Sequence, residues 1–359
     1  MKILVDVRSM GSNPSGIGIY AYNFIRALNK HTDLEIALVS DVAESVQIQY
    51  LQNRERVTLY IYGKTVSKTG AVLGYFNYIQ KVIDYVRPDV FWEVNNLIPV
   101  KLCMHGGKTA VTIHDVFPLY MPECYTKIYP LYYWFGLQQT MYQADAILYD
   151  SEETKKQTEK YFPRAKKIRN LISYIVVEIE NKVESSDLGF FLYIGNLEKR
   201  KGTDLLLNAY CAYRQAGGKK RLLLAGKFRD AKIEESYNNI SREIDGIEYL
   251  GYTEEDRKEQ LLSQCSCFVF PTRAEGFGIP AVEALIRGKP IILSNLPIFD
   301  ELLDNPRKTI CLQGDSVENL KQAMLDEKQW FRCNAKEMAG KFSADVLGQK
   351  VHDFFFGLV

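Results

Sequence analysis

The chain is 359 residues long, room for about two domains of ~150 residues that can each bury a core. Hydrophobic residues at 47%, charged residues at 25% and a net charge of +1 exclude disordered, collagen-like and coiled-coil classes and argue against a nucleic-acid binder. Seven cysteines fit reduced thiols better than a disulfide framework, and Cys265-Ser266-Cys267 lacks the second ligand pair of a zinc site, so no metal is expected there.

The start Met1-Lys2-Ile3-Leu4-Val5 has no apolar h-region behind it, so no signal peptide and a cytoplasmic location are expected. Residues 128–144, the longest uncharged stretch, are interrupted by Gln138, Gln139, Thr140 and Gln143 and fall short of the ~20 apolar residues that span a bilayer. Short apolar runs at 3–7, 34–39, 57–61, 90–92, 109–113 and 146–149 alternate with amphipathic segments, the pattern of a parallel α/β sheet. It weakens from 168 to 187 and restarts at 190–194, 221–225, 247–249, 267–270 and 290–293. Two Rossmann-like halves are therefore expected, 1–172 and 188–344, joined by a linker near 170–188. Residues 345–359, with Val351, Phe354, Phe355 and Phe356, close the chain with an apolar helical segment.

After the first strand, Gly16-Ile17-Gly18 opens a helix. The eight residues 8–15 make this loop too long for a dinucleotide fingerprint, but paired glycines before a helix still allow phosphate to approach the backbone. A plain glycine turn is the competing reading. Thr112-Ile113-His114-Asp115 follows a strand, where open α/β sheets place ligand-contacting residues, although a lone histidine is as often structural. Eight aromatics between Phe117 and Phe135 are read as core beneath the first sheet, with sugar stacking or a membrane interface as the alternative.

In the second half a strand runs into Glu198-Lys199-Arg200-Lys201-Gly202, where Arg offers a donor fork and Lys a point charge for a diphosphate. Glu275-Gly276-Phe277-Gly278-Ile279-Pro280 leads into a helix carrying Glu283, eight residues beyond Glu275. Such a segment can offer backbone amides to phosphate, Glu283 to vicinal ribose hydroxyls and Glu275 to sugar hydroxyls.

With these motifs, Ala144-Asp145-Ala146-Ile147 to Ser151-Glu152 and Tyr249-Leu250-Gly251-Tyr252, the chain resembles GT-B glycosyltransferases of family 4, a retaining family, over nearly its whole length. The spelling Ile-His-Asp-Val-Phe-Pro with Glu-Lys-Arg-Lys is most similar to the bacterial mannosyltransferase-B-like branch. That resemblance implies two Rossmann-like domains with parallel sheets facing across an interdomain cleft, and a final helix, 345–359, that crosses back onto the first domain. It implies catalytic or donor-binding roles for Glu275, His114, Arg200 and Lys201, and donor contacts from Gly16, Gly18, Tyr252, Phe277, Gly278, Ile279 and Glu283. It further implies a nucleotide-sugar donor, GDP-mannose first, a glycan or lipid-linked glycan acceptor, peripheral membrane contact where the acceptor is lipid-linked, and neither cofactor nor metal. Asn196, where many relatives carry Arg or Lys, leaves the diphosphate to Arg200 and Lys201. A UDP- or dTDP-sugar transferase, an epimerase or phosphorylase of the same fold, and a non-catalytic scaffold are the alternatives.

Overall fold

The computed structural model describes residues 1–11, 16–66, 71–179, 183–303, 311–312 and 316–359, with 71, 311 and 312 described by backbone alone. It divides into two units, Met1–Val176 with Phe342–Val359, and Val177–Lys341.

The first unit is built on β1 (Lys2–Asp6), β2 (Glu35–Ser40), β3 (Val57–Ile61), β4 (Val90–Glu93), β5 (Lys108–Ile113), β6 (Ala146–Tyr149) and β7 (Arg169–Ile172), all parallel, in the order β3-β2-β1-β4-β5-β6-β7. Its helices are α1 (Gly16–Leu28), α2 (Val46–Gln52), α3 (Ala71–Val86), α4 (Phe117–Tyr120), α5 (Tyr129–Gln143) and α6 (Glu152–Tyr161). A parallel sheet is covered on both faces, which is why its central strands are apolar runs without polar alternation. Ile3, Leu4, Val5, Val90, Phe91 and Trp92 are all solvent-free. The strand order reverses between β1 and β4, so the loops leaving these strands open a crevice. Strand β7 lies where a linker was expected. Arg169 and Asn170 break its apolar run, and as an edge strand it needs none.

The expected aromatic core is corrected in part. Helix α5 buries Tyr133, Gly136, Leu137, Thr140 and Met141. Leu131 (60%), Tyr132 (47%), Phe135 (59%) and Tyr142 (60%), with Ile128 (77%) just before the helix, are exposed instead. These positions recur at helical spacing and share the outer face.

The second unit holds β8 (Phe190–Ile194), β9 (Arg221–Ala225), β10 (Ile247–Gly251), β11 (Cys267–Phe270), β12 (Ile291–Ser294) and β13 (Cys311–Leu312), parallel in the order β10-β9-β8-β11-β12-β13. Helices α7 (Thr203–Gln215), α8 (Ala231–Glu243), α9 (Glu255–Gln264), α10 (Ile279–Ile286), α11 (Pro297–Leu303), α12 (Val317–Leu325) and α13 (Ala335–Lys341) surround it. Here the order reverses between β8 and β11.

The last helix, α14 (Ala344–Phe356), belongs to the first unit. A side chain at Gly348 would stand 2.8 Å from Ala27 Cβ, and the Phe355 ring meets Trp92 edge-on at 5.3 Å, so α14 seats against α1 and β4. Val351 and Phe355 are solvent-free there, whereas Phe356 is exposed. Among the described residues no helix is long and apolar enough to cross a membrane. Cys103, Cys124, Cys211, Cys265, Cys267 and Cys333 are free thiols.

Candidate nucleotide-sugar site

The loops leaving β8 and β11 flank the reversal point of the second sheet, and they are bound to each other. Gly202, which follows the turn Lys199–Lys201, has φ +68°, and a Cβ there would sit 1.8 Å from the Pro271 carbonyl oxygen. Only glycine lets the backbones approach so closely. The Arg273 N–H donates to the Arg200 carbonyl at 2.9 Å, and the Thr272 hydroxyl reaches the Ala274 carbonyl at 3.1 Å. Arg200 donates to the Ala274 carbonyl at 3.1 Å and to Glu198 at 2.7 Å, while Arg273 forks onto Asp204 at 2.6 and 3.0 Å. Lys201 Nζ contacts Glu275 Oε1 directly. The structure thus brings Arg200, Lys201 and Glu275 together: two cations and a carboxylate on loops locked in register.

The second loop ends at Gly278 (φ +89°), which caps α10. Phe277 is buried, so what this segment offers outward is backbone; within the first turn of α10 Pro280 brings no N–H and the Ala281 N–H donates to the Gly278 carbonyl at 2.9 Å. Glu283 lies on α10 and is nearly buried, with Lys258 of α9 at 2.7 Å as its counterion. Burial works against charge on Lys258, but Glu283 and Glu255 outweigh it and raise its pKa. Lys258 escaped the sequence reading because it stands 25 residues before Glu283 in an ordinary polar helix. Tyr252, beyond β10, is half-exposed with the Lys227 ammonium 4.9 Å from its ring centre.

Gly16, Gly18 and His114 belong to the first unit. Gly16 and Gly18 form the first turn of α1, and residues 12–15 of their loop lie outside the described residues. His114 is buried behind β5 and does not pair with Asp115. Its Nδ1 lies 2.6 Å from Asp150 Oδ2, its Nε2 lies 2.8 Å from the Val94 carbonyl, and Tyr20 meets its ring edge-on at 4.8 Å. The carbonyl can only accept, so Nε2 carries a proton, and Nδ1 shares one with the carboxylate. Burial lowers the His114 pKa, but Asp150 and the bond to Val94 overcome it and lift the value above the usual imidazole range. Both ring nitrogens are therefore engaged within the protein. Asn96, at φ +64°, fixes the strand end by accepting the His114 N–H at 2.7 Å.

A second charged group at the reversal point of the first sheet also escaped the sequence reading. Asp6 and Glu93 end the neighbouring strands β1 and β4, and both are solvent-free. Arg8 reaches them at 3.3 and 3.5 Å, Tyr75 donates to Asp6 at 2.7 Å, and Asn95 donates twice to Glu93 at 2.8 Å. Burial and the Asp6 charge push Glu93 up to about 8 against the opposing pull of Arg8. The legible signal was an acidic residue closing each of two apolar strands.

Residues 14–170 match the family model for Glycosyltransferase Family 4, and residues 177–331 match Glycosyl transferases group 1. The chain is 22% identical over 320 residues to O-antigen chain mannosyltransferase RfbU of Salmonella typhimurium, covering 84% of this chain and 85% of that protein. It is 26% identical to O-antigen chain mannosyltransferase B of Escherichia coli, with 84% of each chain covered. In fold it is similar to Anabaena HepE, solved with UDP and glucose, at a TM-score of 0.73 and 15% identity over 98% of both chains. It is also similar to a Thermosynechococcus elongatus sucrose-phosphate synthase, at a TM-score of 0.74 and 13% identity over 99% and 98% of the two chains. The two family models, one on each half and together spanning most of its length, show that this chain belongs to the group 1/family 4 glycosyltransferases of GT-B fold.

Proposed function

We propose that this protein moves a hexosyl unit, mannose from GDP-mannose as first choice, onto a hydroxyl of a growing bacterial surface polysaccharide or glycolipid, retaining the anomeric configuration and using no divalent metal. The choice of mannose rests on the O-antigen mannosyltransferases to which the chain is similar. The observation that carries the reading is the joining of Arg200, Lys201 and Glu275 by interlocked loops. Bond cleavage puts charge on the departing diphosphate, and two fixed cations stabilise it most when that charge is fully developed. Lys201 then leaves Glu275 for the diphosphate, and Glu275 turns to the sugar hydroxyls.

Glu283, paired with Lys258, accepts hydrogen bonds from the ribose hydroxyls, and the backbone of Phe277, Gly278 and Ile279 meets sugar and phosphate. Tyr252 approaches the base. Gly16 and Gly18 serve the diphosphate and His114 the sugar, roles carried over from the family resemblance, and His114 reaches a sugar hydroxyl by releasing its Nε2 proton from the Val94 carbonyl. This segment offers no obvious carboxylate nucleophile, so the incoming hydroxyl attacks on the face the diphosphate leaves, and the diphosphate takes its proton. An acceptor on a lipid carrier fits the outer face of α5, where Leu131, Tyr132, Phe135 and Tyr142 stand exposed. Arg164 donates to the Met141 carbonyl at 2.8 Å and lies 4.8 Å from the Tyr142 ring centre, so it borders that face, and Lys155, Lys156, Lys160, Lys166 and Lys167 lie on the same stretch of chain as Arg164. Aromatic faces with a cationic border suit an anionic membrane interface.

Thermal stabilisation across GDP, UDP, ADP and dTDP with their hexose conjugates tests the donor. A shift confined to GDP and GDP-mannose is expected. One confined to UDP or dTDP compounds reassigns the base, and no shift with any, in a protein that melts cooperatively, overturns the transferase reading in favour of a scaffold.

A further inference from the structure

The far end of α1 from Gly16 carries a side-chain cluster with no part in sugar transfer. His31 and Asp33 lie in the turn between α1 and β2, and His352 lies on α14, more than three hundred residues away in sequence. Each brings one ligand atom to the same place, all within 4.8 Å of one another. Among the described residues this is where three such side chains converge at metal-ligand spacing.

The hydrogen bonding of His352 leaves a cation to be accounted for. Its Nδ1 is 3.0 Å from Asp353 Oδ1, and its Nε2 is 3.2 Å from both Asp33 oxygens. A neutral imidazole has one N–H and one lone pair, so it satisfies only one of the two carboxylates facing it. With its N–H given to Asp353, the Nε2 lone pair and the Asp33 carboxylate both point at one spot, where a proton or a metal ion must sit. Asp353 also accepts from Gln349 at 2.7 Å and is thereby held in place. A carboxylate fixed on the outer nitrogen of a histidine is the arrangement that sets a metal-binding tautomer. The His31 ring stacks on His352 with centroids 4.1 Å apart and planes 20° from parallel, so its in-plane lone pairs run alongside those of His352, and His31 becomes the second imidazole by turning out of the stack. The nearby Lys30 ammonium is paired with Asp345 at 2.7 Å. The separation of His352 Nε2 from Asp33 is that of two ligands about 2 Å from one ion.

We propose that His31, Asp33 and His352 bind a zinc-class dication, with water completing the shell at the exposed Asp33 side. Two imidazoles and one carboxylate suit Zn²⁺, Co²⁺ or Ni²⁺ rather than Mg²⁺ or Ca²⁺. The ion ties α14 to the turn after α1 and adds to the apolar seat of that helix without creating it.

The test uses the full chain, free of any histidine tag and stripped with chelator, titrated with CoCl₂ and with ZnCl₂ at about pH 7.5 and again at about pH 5.5. One equivalent of Co²⁺ with visible d–d bands and a rise in melting temperature with Zn²⁺ are expected at the higher pH, both weakened at the lower pH because protons compete with the metal for its ligands. His31→Gln and Asp33→Asn, both outside the core, are expected to weaken Co²⁺ binding at least tenfold, roughly the loss that even outer-shell changes cause, with unchanged circular dichroism. Absence of a saturable Co²⁺ spectrum, or an unchanged affinity in His31→Gln, overturns the site and assigns the cluster to an imidazolium between two carboxylates. Neither readout depends on transferase activity.

Discussion

Replacing Glu275 with alanine separates the two tasks assigned to the loop that carries it. The Lys201 and Glu275 side chains are 16% and 8% exposed, so the pair is neither open to water nor sealed from it. Removing one partner of a sealed pair costs about 3–5 kcal/mol, and Lys201 recovers part of that by turning to solvent, leaving about 1–3 kcal/mol of lost stability. The kinetic loss is of a different kind. A hydrogen bond from a sugar hydroxyl to a carboxylate contributes about 1.5–3 kcal/mol, which at 1.4 kcal/mol per factor of ten is roughly a 10- to 150-fold fall in kcat/KM. Binding of the free nucleoside diphosphate is expected to stay the same or tighten, because Lys201 no longer has to leave a carboxylate. The assay pairs donor turnover, followed by released nucleoside diphosphate, with calorimetric binding of that product to a variant shown to melt cooperatively. Turnover within threefold of the parent refutes the role of Glu275 in sugar contact. A parallel tenfold loss of diphosphate affinity shows instead that Glu275 acts by positioning Lys201.

Gly202→Ala places a Cβ 1.8 Å from the Pro271 oxygen, about 1.2 Å short of the closest contact real Cβ atoms make, so the two donor loops must part. Destabilisation of about 2–4 kcal/mol and a roughly hundredfold loss of turnover are expected from denaturant melts and steady-state kinetics. Lys258→Met leaves Glu283 without its counterion, so calorimetry is expected to show at least fivefold weaker nucleoside diphosphate binding and melts a loss of about 2 kcal/mol. Glu93 takes up a proton on folding between its ordinary 4.5 and about 8, so its contribution to stability falls as pH rises through that window. Glu93→Gln removes the dependence. Urea melts at about pH 5 and about pH 9 are expected to show the variant gaining on the parent by about 2–4 kcal/mol, and equal pH profiles contradict the raised value.

Most of both sheets was legible because a strand buried on both faces has to be an apolar run, and Ile3 to Val5 or Phe190 to Tyr193 cannot be read otherwise. The edge strand β7 was not, since an edge faces solvent and tolerates Arg169 and Asn170. Aromatic density misled at α5. Burial there follows the helical period, so small or unremarkable residues such as Gly136 and Thr140 face inward, while Leu131, Tyr132 and Phe135 do not. Of the candidate site, the residues that sit on one loop and its helix were legible from spacing alone. The partners that set their charge were not. Lys258 in the second unit and Asp150 in the first meet Glu283 and His114 through packing of separate elements, which no local pattern marks, and the Asp6–Arg8–Glu93 group left only the acidic ends of two strands to see.

The most direct test of the donor site follows transfer or slow hydrolysis of a radiolabelled nucleotide-hexose by the parent and by the double variant Arg200→Ala/Lys201→Ala. The parent is expected to release nucleoside diphosphate from one base class, and the folded double variant to be slower by at least about a hundredfold, as two cations lost from the leaving group require. A double variant that turns over donor at the parent's rate would contradict the placement of the diphosphate on these loops.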